Sequence, residues 1–397
     1  MNNSGIVTNE NTSVDHDILN KYSKGKHALV AQGGGQKGIF TTGVLDSFLA
    51  ASVDPFDVFY GTSAGALNIT SFLARQVGLG KAFITDLTTT PDFFRLFAHV
   101  RNKQRLNLDW AFEQLHSPPY WLDMDVARYS LGERDAFAAV TNITDLHDEY
   151  LPIMVTDWLD VLRATCAIPG LYRKEVQING NRYIDGGVSA SIPAQEAWRQ
   201  GARLISVIRT EPIGLPIEVE DETTETFLNR VGLNHHFEAL QDRIVKRTAG
   251  WRQDLSSFVQ QRIEKSLQVI TDKHKPLLNG GRWLFGGSDV YRLCHLMGDQ
   301  FDAGLMDMLL VHHQTYSMTH NFMINPPDDC YVLQIAPEQP LKASSLLSKL
   351  DDLEHDYQMG IQAGIKYVEL LSSLKNKPEM IHPSAYIRSN KRWLDTK

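Results

Sequence analysis

The residues able to do chemistry cluster in three glycine-bounded turns. The first is GGGQKG, Gly33 to Gly38, which satisfies G-x-G-x-x-G directly after the apolar run ALVAQ. Glycines at that spacing let backbone N–H groups converge on an anion beside a helix start. That anion is either a pyrophosphate or the oxyanion of an acyl-transfer intermediate. The second is GTSAG, Gly61 to Gly65, a G-x-S-x-G that follows DVFY and opens a helical pattern. A sharp strand-to-helix turn of this composition exposes a serine hydroxyl, with Gly61 and Gly65 relieving the crowding, so Ser63 is a candidate nucleophile. The third is YIDGG, in which Asp185 follows Ser63 by 122 residues. Flanked by Gly186 and Gly187 at a strand end, Asp185 is placed to accept the proton that a serine must lose. Each turn alone has an ordinary explanation: GGGQKG as a dinucleotide loop with Asp57 on the ribose, GTSAG as a small-residue turn, Asp-Gly-Gly as a plain turn.

The elements that must position these turns are legible from periodicity. After the first turn, Ile39, Val44, Leu45, Phe48 and Leu49 recur at three-to-four spacing, and after the second Leu67, Ile69, Phe72, Leu73 and Val77 do the same. Two successive strand-turn-helix units predict a parallel sheet covered by helices. Strand-like runs return as AFAAVTNI, LPIMVTD and LISVI, so a catalytic α/β domain is expected over residues 27–210. Residues 211–330 are charged and helical in composition and read as a mainly helical insertion or subdomain. A strand and helix over 331–374 are expected to complete the catalytic domain. Residues 1–26, rich in Asn, Ser, Thr and Asp, predict a flexible leader, and 375–397 a basic-aromatic tail.

Composition removes several function classes. Against 47 Asp+Glu stand 39 Lys+Arg, a net charge of -8 in 397 residues, which argues against nucleic acid as the partner. Cys166, Cys294 and Cys330 show no CxxC spacing, which excludes a disulfide scaffold and a cysteine-rich zinc site and favours a reducing, cytoplasmic setting. No apolar run approaches a membrane span, and the N-terminus has no signal-peptide core. The pairs His235-His236 and His312-His313 lack HExxH context and read as helix-surface histidines. Neither a metal nor a cofactor is expected. Nothing in the sequence sets the oligomeric state.

In order and context the three turns resemble the patatin-like phospholipase family, lipid acyl hydrolases with a Ser-Asp dyad. The resemblance spans His27 to Thr210 and includes CAIPG (Cys166 to Gly170), with further similarity in LQIAP near Gln334 and DYQMG near Gly360. It implies a three-layer α/β/α fold with a mainly parallel central sheet, plus the helical insertion. By the same resemblance Ser63 is the nucleophile and Asp185 the base, and the N–H groups of Gly33, Gly34 and Gly35 form the oxyanion hole. Lys37 is the basic position of the loop, while Gly38, Gly61, Gly65, Gly186 and Gly187 support the motifs. The implied reaction cleaves a carboxylic ester of a phospholipid or lysophospholipid through an acyl-enzyme. A carboxylate at its reference pKa of about 3.9 is a weak base, so Asp185 is expected in a largely desolvated site.

A lipid substrate calls for a docking surface. Residues 91–105 place Phe93, Phe94, Phe97 and Val100 on one helix face beside Arg95, Arg101, Lys103 and Arg105; this segment and the C-terminal tail are the candidates for peripheral membrane contact. Core packing of the same helix is the competing reading. Two other functions stay open at this level. One is an α/β-hydrolase triad in which His295 or His320 joins Ser63 and Asp185. Gly33 and Gly61 are only 28 residues apart, room for one helix and one strand, which weighs against that fold. The other is a Rossmann-type nucleotide-binding protein.

Overall fold

A computed structural model describes residues 3–94, 106–172, 174–213, 303–374, 380–383 and 385. Ten strands among them form one sheet: β1 (Ser4–Val7), β2 (Thr12–Ser13), β3 (His27–Ala31), β4 (Val58–Thr62), β5 (Asp135–Asn142), β6 (Asp148–Pro152), β7 (Val176–Ile178), β8 (Asn181–Asp185), β9 (Leu204–Ile208) and β10 (Tyr331–Ile335). Their order is β2-β1-β10-β9-β3-β4-β5-β8-β7, with β6 on β5. From β1 to β5 every neighbouring pair is parallel, whereas β2, β6, β7 and β8 run antiparallel to their partners.

The helices are α1 (His16–Tyr22), α2 (Gly38–Ala50), α3 (Ala64–Leu73), α4 (Leu79–Ala82), α5 (Leu108–Glu113), α6 (Met124–Leu131), α7 (Trp158–Thr165), α8 (Ala194–Arg199), α9 (Ala303–Ile324) and α10 (Leu350–Ser373). Side chains alternate across a strand, and here both faces are covered. Leu29 and Ala31 of β3 enter a core with Phe40, Phe72, Leu162 and Tyr367, on the side of α2, α3, α7 and α10. Ala28 and Val30 enter a second core with Ala194, Ala197, Tyr316 and Met323, on the side of α8 and α9. The result is the three-layer α/β/α architecture, and it explains why β3, β4, β9 and β10 are buried along their whole length. Among the described residues no helix is long and apolar enough to cross a membrane.

The expected flexible leader is corrected by the structure. Residues Ser4–Val7 form a sheet strand, paired in parallel with β10 from Ser4↔Val332 to Val7↔Ile335. Asp15 caps α1 by accepting the N–H groups of Asp17 and Ile18 at 3.0 Å each. The polar composition concealed three anchors, Val7, Leu19 and Tyr22, all buried in the first core.

Two buried polar clusters tie the helical layer together. Asp54 accepts Arg134 Nη1 at 2.8 Å and Nη2 at 3.0 Å, and Arg75 Nη2 bonds the same carboxylate. Asp46 accepts the Gly78 N–H on both oxygens and the Tyr357 hydroxyl at 2.9 Å, while burial pushes its pKa up to about 6. Helix α10 crosses α2 at backbone contact, since a Cβ at Gly360 would overlap the Phe40 carbonyl. The segment 91–105 is described only in part. Phe93 and Phe94 are buried in the core and unavailable to a membrane, and 95–105 lie outside the described residues. Most of 211–330 and nearly all of the tail also lie outside them, as do His235, His236 and His295.

Candidate active site

The three turns converge because their strands are neighbours. Ala31, the end of β3, pairs with Gly61 of β4, which sets the glycine loop beside the elbow. Thr62 of β4 pairs with Ala139 of β5, and Asp185 of β8 pairs with Val140 of β5. Ser63 and Asp185 therefore flank the same two residues of β5, one from each side. The cluster lies at the carboxyl ends of the parallel strands, where open α/β sheets hold their ligands.

Ser63 sits at φ 52° and ψ −125°, a conformation that side-chain-bearing residues rarely adopt. It is held there from outside the turn: its N–H donates to Thr165 Oγ1 at 2.8 Å, and that hydroxyl donates to Ala139 O at 2.5 Å. Helix α3 begins at the next residue, so the helix N-terminus favours negative charge near the serine. Gly65 is pressed against the end of β3, where a Cβ would overlap the Ala31 carbonyl. Gly61 belongs to β4 itself, and Gly38 opens α2.

Asp185 is fully buried. Its Oδ1 accepts the Gly187 N–H at 2.6 Å, and its backbone is fixed by the Thr141 hydroxyl on its carbonyl at 2.9 Å and by its N–H on Ala167 O at 3.0 Å. Its Oδ2 is buried with no hydrogen-bond partner among the described residues. Burial lifts the pKa from 3.8 to about 7, against the opposing pull of the Gly187 N–H and the Ser63 hydroxyl. Ser63 is thus near enough to act on the carboxyl, while a well-formed bond to Oδ2 is not closed. Catalytic hydrogen bonds often tighten only when substrate is bound. The thiol of Cys166 lies against Ser63 as well, its pKa pushed up by burial and by Asp185, so it stays protonated.

The glycine loop departs from expectation at one residue. Gly33 donates its N–H to Ser191 O at 3.1 Å, and its carbonyl accepts Thr210 Oγ1 at 3.3 Å, so it anchors the loop. Gly34 and Gly35 remain as donors. Gly35 has φ 58° and a Cβ there would overlap the Ser345 carbonyl, so only glycine fits. Lys37 pairs with Glu211 at 3.9 Å.

Several supporting residues carried no sequence signal. Gln36 donates to Thr88 O and Thr88 Oγ1 at 3.1 Å each, accepts the Ser348 N–H at 2.8 Å, and gives its own N–H to Ser345 O at 2.9 Å. Thr141, Thr165 and Gln32, whose Oε1 accepts the Thr210 N–H at 3.0 Å, brace the same turns. His312 is the clearest departure from the surface-histidine reading: it is buried, and its Nδ1 lies 2.5 Å from Gly187 O. The dinucleotide reading fails on geometry. Asp57 precedes β4 at the end opposite the glycine loop, where it accepts the His27 N–H at 2.6 Å and pairs with His382 at 3.0 Å. Five strand residues at about 3.3 Å each separate those ends by about 16 Å. Of the histidines considered for a triad, His320 lies near Arg209 and Glu211, with its pKa lowered by burial.

Comparison with known proteins agrees with this architecture. The profile of the patatin-like phospholipases matches residues 29–198, and that of a domain of unknown function (DUF6363) matches residues 302–375. The uncharacterized protein YjjU of Escherichia coli (strain K12) is 32% identical over 358 residues, covering 90% of this chain and 81% of that protein. The crystal structure of VipD from Legionella pneumophila aligns over 88% of this chain and 67% of that one at 13% identity, with a TM-score of 0.36, too loose a likeness to bear on the fold. Since the stretch from 29 to 198 holds the glycine loop, the serine elbow and the Asp-Gly-Gly turn together, the chain belongs to the patatin-like phospholipase family.

Proposed function

We propose that this protein is a serine acyl hydrolase that cleaves carboxylic esters of phospholipids or lysophospholipids, with Ser63 as nucleophile and Asp185 as base. The observation that carries the reading is Ser63, held at φ 52° across β5 from a buried carboxylate whose Oδ2 has no hydrogen-bond partner among the described residues. Family membership supports a lipid substrate.

In the acylation step Asp185 Oδ2 takes the hydroxyl proton as Ser63 Oγ attacks the ester carbonyl. The developing oxyanion meets the N–H groups of Gly34 and Gly35, and the alcohol leaves with the proton returned by Asp185. In the second step Asp185 takes a proton from water as the water attacks the acyl-enzyme, and returns it to Ser63 Oγ as the ester bond to the serine breaks and the fatty acid is freed. Desolvation is what makes the carboxylate adequate: with a pKa of about 7 rather than 3.8 it is a far better proton acceptor at neutral pH. Loss of one oxyanion donor typically costs about 100- to 1,000-fold in kcat, so Gly34 and Gly35 matter nearly as much as the dyad.

The test is hydrolysis of a short-chain p-nitrophenyl ester and of a phospholipid by the wild type, Ser63→Ala and Asp185→Ala, together with fluorophosphonate labelling. Loss of both activities in both variants, with label confined to Ser63, is the expected result. Wild-type rates in either variant refute the dyad.

A further inference from the structure

Helix α9 lies within the segment that matches the domain of unknown function, and it reaches the catalytic turns through two side chains. His312 and Tyr316 are four residues apart, hence on one helix face, with ring centroids 5.9 Å apart. Both are buried.

The first contact is at the base. Nδ1 of His312 lies 2.5 Å from Gly187 O. A carbonyl oxygen only accepts, so Nδ1 carries the proton and donates. Gly187 is also the residue whose N–H donates to Asp185 Oδ1 at 2.6 Å. One glycine is thus gripped on its carbonyl by α9 while its amide aims the catalytic carboxylate.

The second contact is at the glycine loop. The Tyr316 hydroxyl donates to Glu211 Oε2 at 2.6 Å, and Glu211 Oε1 pairs with Lys37 Nζ at 3.9 Å. The adjacent Thr210 bonds Gly33 O through its hydroxyl and Gln32 Oε1 through its N–H. The same helix face therefore holds both the turn that carries the base and the loop that carries the oxyanion donors.

We propose that α9 is a clamp on the catalytic turns, with His312 as the positioning residue for Asp185 and Tyr316 as that for the glycine loop. The proposal rests on the Ser63–Asp185 reading. Its physical ground is the turn itself: Gly186 and Gly187 carry no side chains to fix their peptide planes, and glycine is the freest backbone. Removing the His312 donor leaves the Gly187 carbonyl buried without that bond, and the peptide that aims Asp185 is then free to rotate. Small misplacements of a catalytic group cost up to about 100-fold in rate.

The experiment measures ester hydrolysis by the full-length chain as wild type, His312→Leu, His312→Asn and Tyr316→Phe. His312→Leu is expected to lower kcat roughly 10- to 100-fold with KM little changed. His312→Asn, whose Nδ2 takes the place of Nδ1, is expected to restore most of that loss, and Tyr316→Phe to lower kcat by a smaller factor. A leucine variant at wild-type kcat, or an asparagine variant as slow as the leucine one, overturns the clamp. If the leucine variant does not fold, His312→Ala with and without added imidazole decides instead. Recovered kcat on adding imidazole supports the role, and no recovery overturns it. Ser63→Ala separates the two levels of the argument. An enzyme inactivated by Ser63→Ala yet indifferent to His312 loses only the clamp, whereas activity that survives Ser63→Ala removes the dyad beneath it.

Discussion

Replacing Asp185 by Asn should destroy activity and, at the same time, stabilise the fold in a pH-dependent way. Burial raises the folded-state pKa of Asp185 from 3.8 to about 7. Between those values the folded chain keeps a proton that the unfolded chain has released, so this group makes stability fall as pH rises through the window. Below about pH 4 both states hold the proton and the effect vanishes. Above about pH 7 the ionised carboxylate is strained by its dry surroundings to the full extent. The interval from 3.8 to about 7, at about 1.4 kcal/mol per pH unit, corresponds to about 4 kcal/mol, and water entering the site would trim that to about 2–4 kcal/mol. Asn fits the site: its Oδ1 can accept the Gly187 N–H, and its amide nitrogen takes the place of Oδ2, which has no hydrogen-bond partner among the described residues. The assay is urea unfolding of both proteins from pH 4 to pH 8. The difference in unfolding free energy between them should grow in favour of Asp185→Asn as pH rises, flattening above about 7. Any constant offset from the amide cancels in that comparison. A difference that does not change with pH, or that grows in favour of the wild type, refutes the desolvation argument.

Three further outcomes follow from the same geometry. With an uncharged ester, kcat/KM should rise about tenfold per pH unit up to about 7 and then level, because only ionised Asp185 accepts the serine proton; a plateau extending down to pH 5 contradicts this. Gly35→Ala must adopt φ 58° and push away the Ser345 carbonyl, so hydrolysis should fall by at least tenfold and thermal unfolding should occur earlier. Asp54→Asn leaves Arg75 and Arg134 buried without their counter-charge, which should cost roughly 3–5 kcal/mol in denaturant unfolding.

The parts of the site legible in the sequence are those where a tight backbone turn dictates the residue types around it. A tight turn above a sheet tolerates only small residues, so GGGQKG, GTSAG and the Asp-Gly-Gly turn show through as letters. Their order along the chain also foretold the parallel sheet, since two strand-turn-helix units allow few other arrangements. What stayed hidden was whatever bonds to a backbone atom of a distant element. His312 binds the Gly187 carbonyl and Thr165 the Ser63 amide, and neither partner leaves any mark on residue type. Gly33 resembles its neighbours in sequence yet differs in role, because Ser191 O, reached only through the fold, takes its N–H. Asp57 failed for a related reason: spacing along the chain does not say at which end of a strand a residue emerges. The leader was misread because a count of polar residues dilutes the few apolar anchors, such as Val7, that decide whether a strand is worth forming.

The seat of β10 between β9 and β1 has a consequence for how the chain is made. Val7 ends the earliest strand, and its partner strand begins 324 residues later, at Tyr331. At roughly 5–20 residues per second, a ribosome needs roughly 16–65 s to close that gap. Once β9, Leu204–Ile208, has been made, the strands from β9 to β8 are available to pair, but the outer edge of β9 stays open until Tyr331 arrives, 123 residues after Ile208. An apolar strand edge without a neighbour is a template for pairing with other chains. The yield of soluble protein should therefore depend on how quickly synthesis delivers residues 331–335, and on whatever shelters the nascent edge until they arrive.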